Sequence, residues 1–255
     1  MDLGLEQFAY LDSPIHRWEA RTRLVGLLAL IFAFSFVQQM ALLPMMGLVT
    51  AVLFLLSRLP ITFWFNRLRY PGIFLLAVAV LLPFFSGQTV LWQLGPLALR
   101  QEGLLEFLLI FVKFVCILTI SLVLFGAAPF LTTIKAMRAL RLPPILADML
   151  LLTYRYIFEL GHDLRTMERA MRLRGFAAGR LSARGARALA AVAGTLLVRS
   201  YEQSERVYQA MVLRGYGQTV ARPADGFMTT GRDWAALTAV LLVALGFVLA
   251  EAMLG

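Results

Sequence analysis

The chain has 255 residues, 60% of them hydrophobic and 15% charged, against about 45–50% apolar and about 25% charged in an average soluble domain. A globule of this size cannot hide that apolar excess, so composition excludes an ordinary soluble domain and points to an integral membrane protein. The formal charge of +9 is unevenly placed: residues 126–233 carry 16 basic and 8 acidic side chains, the first 125 residues 8 and 6, and every basic residue except Lys113 and Lys135 is arginine. One cysteine (Cys116) and two distant histidines (His16, His162) exclude a disulfide framework and a thiolate metal site. No Walker A, HExxH, GxSxG or GxGxxG pattern occurs. The expectation is a non-catalytic chain with no bound cofactor, no metal ligands and no nucleic-acid partner.

In chain order, residues 1–19 carry Asp2, Glu6 and Asp12 and lack an apolar core, which does not fit a cleavable signal peptide. Residues 24–56 contain no charge, and at 1.5 Å per residue they extend about 50 Å, too far for one crossing. Two short or tilted spans joined by a tight turn at residues 38–41 are predicted. A third span covers 71–86, a fourth 103–125 (with Lys113 inside it) and a fifth 234–254. Arg17, Arg21 and Arg23 precede the first span, and Arg58, Arg67 and Arg69 lie in the 58–70 loop. The 38–41 turn is uncharged, and 87–102 holds only Arg100 and Glu102. The positive-inside rule then sets the N-terminus, the 58–70 loop and 126–233 in the cytoplasm. The predicted fold is an all-α integral membrane protein of the cytoplasmic (inner) membrane. It has about five transmembrane helices, a cytoplasmic pair of long helices and one short amphipathic helix. Three regions follow: 1–125 with the first four spans, 126–232, and 233–255 with the last span.

Residues 129–141 read as the short amphipathic helix, closed by Leu142-Pro143-Pro144. Residues 145–176 form the first long helix, with an apolar stripe at Ile157, Leu160, Leu164, Met167 and Met171. Residues 177–185 read as a turn, and 186–216 as the second long helix. Its Ala188, Ala190, Ala191, Ala193 and Gly194 permit a close helix crossing. Each long helix measures about 45 Å. Helices of this kind, apolar on one side and arginine-rich on the other, need a cover, either protein or anionic lipid.

An internal repeat is the most informative feature. Ala170-Met171-Arg172-Leu173-Arg174-Gly175-Phe176 recurs as Ala210-Met211-Val212-Leu213-Arg214-Gly215-Tyr216, five of seven positions identical at an offset of 40. Glycine just past a helix end tolerates the left-handed conformation that stops the helix. Arginine in the last turn complements the helix dipole, so a single Arg-Gly is explained as a cap. Two copies extended by Ala-Met and an aromatic ask for more, namely docking of two helix ends into two similar sockets.

With these residues the sequence resembles the transmembrane (T) component of energy-coupling factor transporters, in its cobalt/nickel branch. The resemblance runs over nearly the whole chain. It covers Leu11-Asp12-Ser13-Pro14-Ile15-His16-Arg17, Arg23-Leu24, Thr132-Thr133-Ile134 and Ala139-Leu140-Arg141-Leu142-Pro143-Pro144. It continues through Thr153-Tyr154-Arg155-Tyr156-Ile157-Phe158-Glu159-Leu160 to the two Arg-Gly termini. It implies that Arg174 and Arg214, with Met171, Leu173, Gly175, Met211, Leu213 and Gly215, engage two ABC-type ATPase subunits. ATP and Mg would be bound on those partners, and a separate membrane subunit would bind substrate. The family usually reads Ala-Arg-Gly where both copies here read Leu-Arg-Gly, which implies a bulkier socket. The literal Ala183-Arg184-Gly185 falls in the inter-helix turn, lacks the Ala-Met lead and is read as a decoy.

Lys113 is an intramembrane charge with Glu106 seven residues earlier as its candidate partner, and Arg155 stands one turn before Glu159 as a helix-stiffening pair. Met40, Met45 and Met46 are read as packing. Three other readings stay open. A membrane-embedded enzyme would need convergent groups beyond Lys113, Glu106 and Glu251. A lipid-bound scaffold would be indifferent to charge reversal at Arg174 and Arg214 compared with Arg172 or Arg184. A T component serving vitamins would differ in its substrate subunit.

Overall fold

The computed structural model describes residues 13–85, 90–94, 97–175, 183–217 and 230–254. A short helix α1 (Pro14–Arg17) is capped by Ser13, whose Oγ accepts from the His16 backbone N–H at 3.3 Å, with proline in its first turn. Both are ordinary start signals. Helix α2 (Ala20–Phe36) is apolar around its circumference, the mark of a helix buried on every side or set in lipid. Leu27, Leu30 and Phe34 on it are fully enclosed. Helix α2 ends at Val37, and a 3-10 turn (Met40–Leu42) leads into α3 (Leu43–Ser57), so the break falls at the expected uncharged turn. The Gln39 N–H freed there donates to Glu251 Oε2 at 3.3 Å. Arg58 stops α3 in a left-handed conformation (φ 53°).

Helix α4 (Ile61–Phe85) begins ten residues before the predicted third span. The 58–70 loop is therefore corrected to a short link followed by helix, and Arg67 and Arg69 lie on that helix. Pro71 sits inside α4 and removes one backbone donor, a defect that neighbouring helices accommodate in membranes. Residues 87–102, read as a loop, contain a two-stranded antiparallel hairpin, β1 (Val90–Leu94) and β2 (Leu97–Arg100), with a bulge between Val90 and Trp92. Helix α5 (Gln101–Gly126) follows, then α6 (Phe130–Ala139), α7 (Pro144–Leu173), α8 (Ala183–Leu213) and α9 (Gly231–Leu254).

The chain divides into two compact units, one of Arg141–Gly226 and one of Asp2–Leu140 with Phe227–Gly255. In the second, α2 is the axis. Phe34 meets Phe247 of α9 edge to face (centroids 5.0 Å apart), and Met46 of α3 and Ile120 and Val123 of α5 belong to the same core. A Cβ built on Gly26 meets Leu237 Cδ1 and Trp18 Cη2, both at 3.3 Å, so glycine there lets α9 and Trp18 approach α2. Trp64 Nε1 donates to Thr119 Oγ1 at 2.8 Å and fastens α4 to α5. The short amphipathic helix α6, which the sequence grouped with the long pair, clusters with this unit, its Thr133, Ile134 and Ala136 buried.

Each predicted span corresponds to a helix, namely α2, α3, α4, α5 and α9. Among the described residues, Met40–Ser57, Leu105–Gly126 and Gly231–Met253 are long and apolar enough to cross a membrane alone. No more than 28% of any of these windows is buried inside the protein, which leaves the rest of each for lipid or a partner.

Arg23 is 3% exposed, and its Nη1 donates to the carbonyls of Ile15 (2.9 Å) and Ala127 (3.2 Å). It joins the lead-in of α2 to the end of α5 and faces no carboxylate in an ion pair among the described residues. The sequence marked Arg23 as a cytoplasmic charge and, with Leu24, as part of the family resemblance, without indicating these buried contacts.

Candidate functional site

The two copies of the repeat close α7 and α8 in the same way. At the end of α8 the Gly215 N–H donates to Val212 O (2.9 Å) and the Tyr216 N–H to Met211 O (3.0 Å), the paired bonds of a Schellman cap. At the end of α7 the Gly175 N–H donates to Arg172 O at 3.0 Å. Gly175 (φ 82°) and Gly215 (φ 80°) occupy the same left-handed conformation. Replacing either by alanine strains this cap by about 1 kcal/mol. The expected result is faster amide exchange in the last turn of that helix alone.

The side chains match as well. Leu173 is 90% exposed and Leu213 88% exposed, Arg174 and Arg214 project into solvent, and Met171 and Met211 are half-buried. An apolar side chain held open at a helix end, next to an arginine, is an unfilled contact, and here it occurs twice. Sequence spacing directed attention to the arginines and methionines, while the exposure of the leucines is what the structure adds. Phe176 lies outside the described residues.

Contacts along α7 and α8 run antiparallel. Gln203 Nε2 donates to Glu159 Oε1 at 2.7 Å, and Arg199 lies 3.6 Å from Asp163. Met167, Ala170, Met171 and Arg174 share a groove of about 440 Å³ with Ala188, Ala191, Val192 and Thr195. At the other end, Tyr216 Oη donates to Asp148 Oδ2 at 3.2 Å. Arg174 therefore sits beside the start of α8 and Arg214 beside the start of α7. From Ala188 to Arg214 is 26 residues, or about 39 Å of helix. The two Arg-Gly ends occupy opposite ends of the pair.

Several expectations are corrected by this geometry. Glu159 accepts from Gln203 across the helices, Arg155 lies 5.9 Å from the Tyr156 ring, and no ion pair joins Arg155 to Glu159 among the described residues. Helix α8 starts at Ala183 and ends at Leu213, so Ala183-Arg184-Gly185 opens a helix and does not lie in a turn, and residues 177–182 lie outside the described residues. A helix start repels the cation that a helix end attracts, so this triplet does not duplicate the other two. A Cβ built on Gly194 meets nothing within 4 Å, so no close helix crossing is made at that glycine, and Ala188 and Ala191 line the groove.

Tyr216 gives the α8 end a tie that phenylalanine cannot make. Partial desolvation, then the charge and hydrogen bond of Asp148, hold its phenol above the ordinary value. The neutral phenol is the bonded form, so the tie is present below the free phenol pKa and is lost as pH rises through the raised one. Tyr216→Phe should cost no more than about 0.5 kcal/mol at so exposed a bond, read as a small loss of amide protection at the start of α7 and none elsewhere. Lys113 is half-buried on α5, with the Glu251 carboxylate of α9, 138 residues on, as an electrostatic neighbour. Among the described residues no group of three or more His, Cys, Asp or Glu is placed to hold a metal ion.

Fold and site thus define a multi-pass helical membrane protein that carries a pair of long helices with two matched, exposed Arg-Gly termini. A family model described as "Cobalt transport protein" (CbiQ) matches residues 12–223. Three proteins named energy-coupling factor transporter transmembrane protein EcfT align over most of their length. That of Limosilactobacillus fermentum (strain CECT 5716 / Lc40) is 27% identical over 97% of each chain. That of Heliobacterium modesticaldum (strain ATCC 51547 / Ice1) is 26% identical over 94% of each, and that of Bacillus subtilis (strain 168) 26% identical over 91% of this chain and 92% of its own. The chain belongs to the CbiQ/EcfT family, as a non-catalytic, multi-pass T component of ECF transporters in the cell membrane.

Proposed function

We propose that this chain is the energy-coupling subunit of an ECF-type importer for cobalt or nickel, passing the ATP-driven motion of two ABC-type ATPase subunits to a substrate-binding membrane subunit. The observation that carries the reading is the duplicated helix end, with Leu173 and Leu213 exposed to nearly the same degree beside Arg174 and Arg214. Burying one such leucine contributes about 1.5–3 kcal/mol. The adjacent arginine supplies a charge-assisted bond to an acidic socket. Ends about 39 Å apart suit two separate sockets better than one. When the ATPases close on ATP their sockets move relative to each other, and α7 and α8 carry that displacement as levers. The two-state element that coupling requires is the ATPase pair, and this chain transmits. Cobalt or nickel is cargo, held by the substrate subunit.

The family description favours cobalt, whereas the EcfT name of the relatives specifies no substrate and is equally compatible with the second reading, a T component serving vitamins. Co-purification of the tagged wild-type chain from mildly solubilised membranes, with mass spectrometry, separates the two. The proposal expects two ATP-binding-cassette ATPase copies and a small membrane protein, with ATP-dependent cobalt or nickel uptake by the reconstituted complex. Vitamin uptake without metal uptake would establish the second reading, and a chain that emerges alone would overturn both.

A further inference from the structure

A cavity of about 610 Å³ opens in the membrane unit among the lead-in of α2, the end of α3 and the start of α9. Ser13, Arg17, Trp18, Arg58, Arg232 and Asp233 line it. Three arginines thus face one carboxylate, and that carboxylate is committed elsewhere: Asp233 Oδ1 accepts from the Glu19 N–H (3.1 Å) and Oδ2 from the Thr230 N–H (2.9 Å). Among the described residues the guanidinium groups of Arg58 and Arg232 form no ion pair. The buried Trp18 indole N–H has no acceptor among the described residues. Two exposed cations without an ion pair among the described residues, the N-terminal end of the 24-residue helix α9 and a buried indole donor surround the same space, and the chemistry common to them is recognition of a phosphate oxyanion.

Position selects the source of that phosphate. The cavity lies at the cytoplasmic ends of three helices in the positive-inside reading, and exposed Trp234 next to Asp233 marks the level of the headgroups, where tryptophan concentrates. We propose that the cavity binds the phosphate headgroup of an anionic phospholipid, with Arg58 and Arg232 as its main contacts. A soluble phosphate ester would share the contacts but not the membrane level.

The test is native mass spectrometry of the purified full chain titrated with phosphatidylglycerol or phosphatidylcholine. Wild type should hold one phosphatidylglycerol in preference to phosphatidylcholine, and Arg58→Gln/Arg232→Gln should weaken it about thirtyfold, the contribution of two arginines at an anionic headgroup. The charge-matched Arg69→Gln/Lys135→Gln, outside the cavity, should leave it unchanged. Arg232→Gln alone, on the first turn of α9, should show about fivefold, so the test survives if the double variant misfolds. Equal loss in the charge-matched control, or full binding by the cavity variants, would overturn the site. Displacement of the lipid by glycerol phosphate at equal concentration would overturn the lipid assignment and give the cavity to a soluble phosphate.

Discussion

Arg174→Glu/Arg214→Glu is expected to abolish substrate uptake while the protein remains folded and inserted. Both side chains are exposed and form no ion pair among the described residues, so their reversal removes no internal salt bridge there. In the complex each would lie buried against an acidic socket, where losing one member of the pair costs about 3–5 kcal/mol. That is about two to three and a half orders of magnitude in affinity at each end. Reversal adds like-charge repulsion. Arg165→Glu/Arg206→Glu makes the same change in net charge on the same two helices, with exposed residues away from the glycine caps. It should leave uptake within about twofold, as exposed surface charges contribute little. Normal uptake by the first variant would remove the docking role of the repeat. Equal loss in both would reduce that role to general electrostatics, as on a lipid surface.

The second large effect concerns the membrane unit. Arg23→Met takes the side-chain donor from the Ala127 carbonyl, at about 1–3 kcal/mol, and leaves the Ile15 carbonyl with only the Trp18 N–H at 3.3 Å, at a smaller cost. Against this, it relieves the desolvation of a buried guanidinium that has no carboxylate partner. The lost hydrogen bonds win, because the methionine stem fills the space but supplies nothing to either carbonyl. We expect a net loss of about 2–3 kcal/mol, which at this chain length lowers Tm by about 5–10 °C. Arg23→Glu, which sets an anion against two carbonyl oxygens, should not accumulate as folded protein. Thermal unfolding in detergent checks both, and an unchanged Tm for Arg23→Met would show that the two contacts contribute nothing net.

What the sequence disclosed divides along a physical line. The spans and the break near Gln38 and Gln39 are readable because transfer of apolar residues into lipid is a sum over neighbours in the chain. The Arg-Gly ends are readable because only glycine adopts φ near 80° cheaply, so the stop is written in one residue type. The start of α4 was missed because Asn66, Arg67, Arg69 and Pro71 resemble a loop, whereas the helix needs only its backbone bonds to continue through the headgroup level. Pairings made across the fold left no local trace. Arg23 looked like any arginine before a span, yet its acceptors lie 8 and 104 residues away. Glu159 invited pairing with Arg155 by spacing and instead accepts from Gln203, 44 residues on. The antiparallel placement that sends Arg174 and Arg214 to opposite ends depends on these long-range contacts, so the repeat alone could say that there are two ends but not how far apart they stand.

The central claim is that the two Arg-Gly ends hold the ATPases, and one measurement bears on it most directly. Tagged wild type and Arg174→Glu/Arg214→Glu are purified in parallel from mildly solubilised membranes, and the bound proteins are quantified. The account predicts that wild type retains two ATP-binding-cassette ATPase copies and a small membrane protein, while the variant keeps the membrane protein and loses the ATPases. If the variant retains the ATPases at the wild-type ratio, the repeat is a pair of helix caps and the coupling mechanism is contradicted.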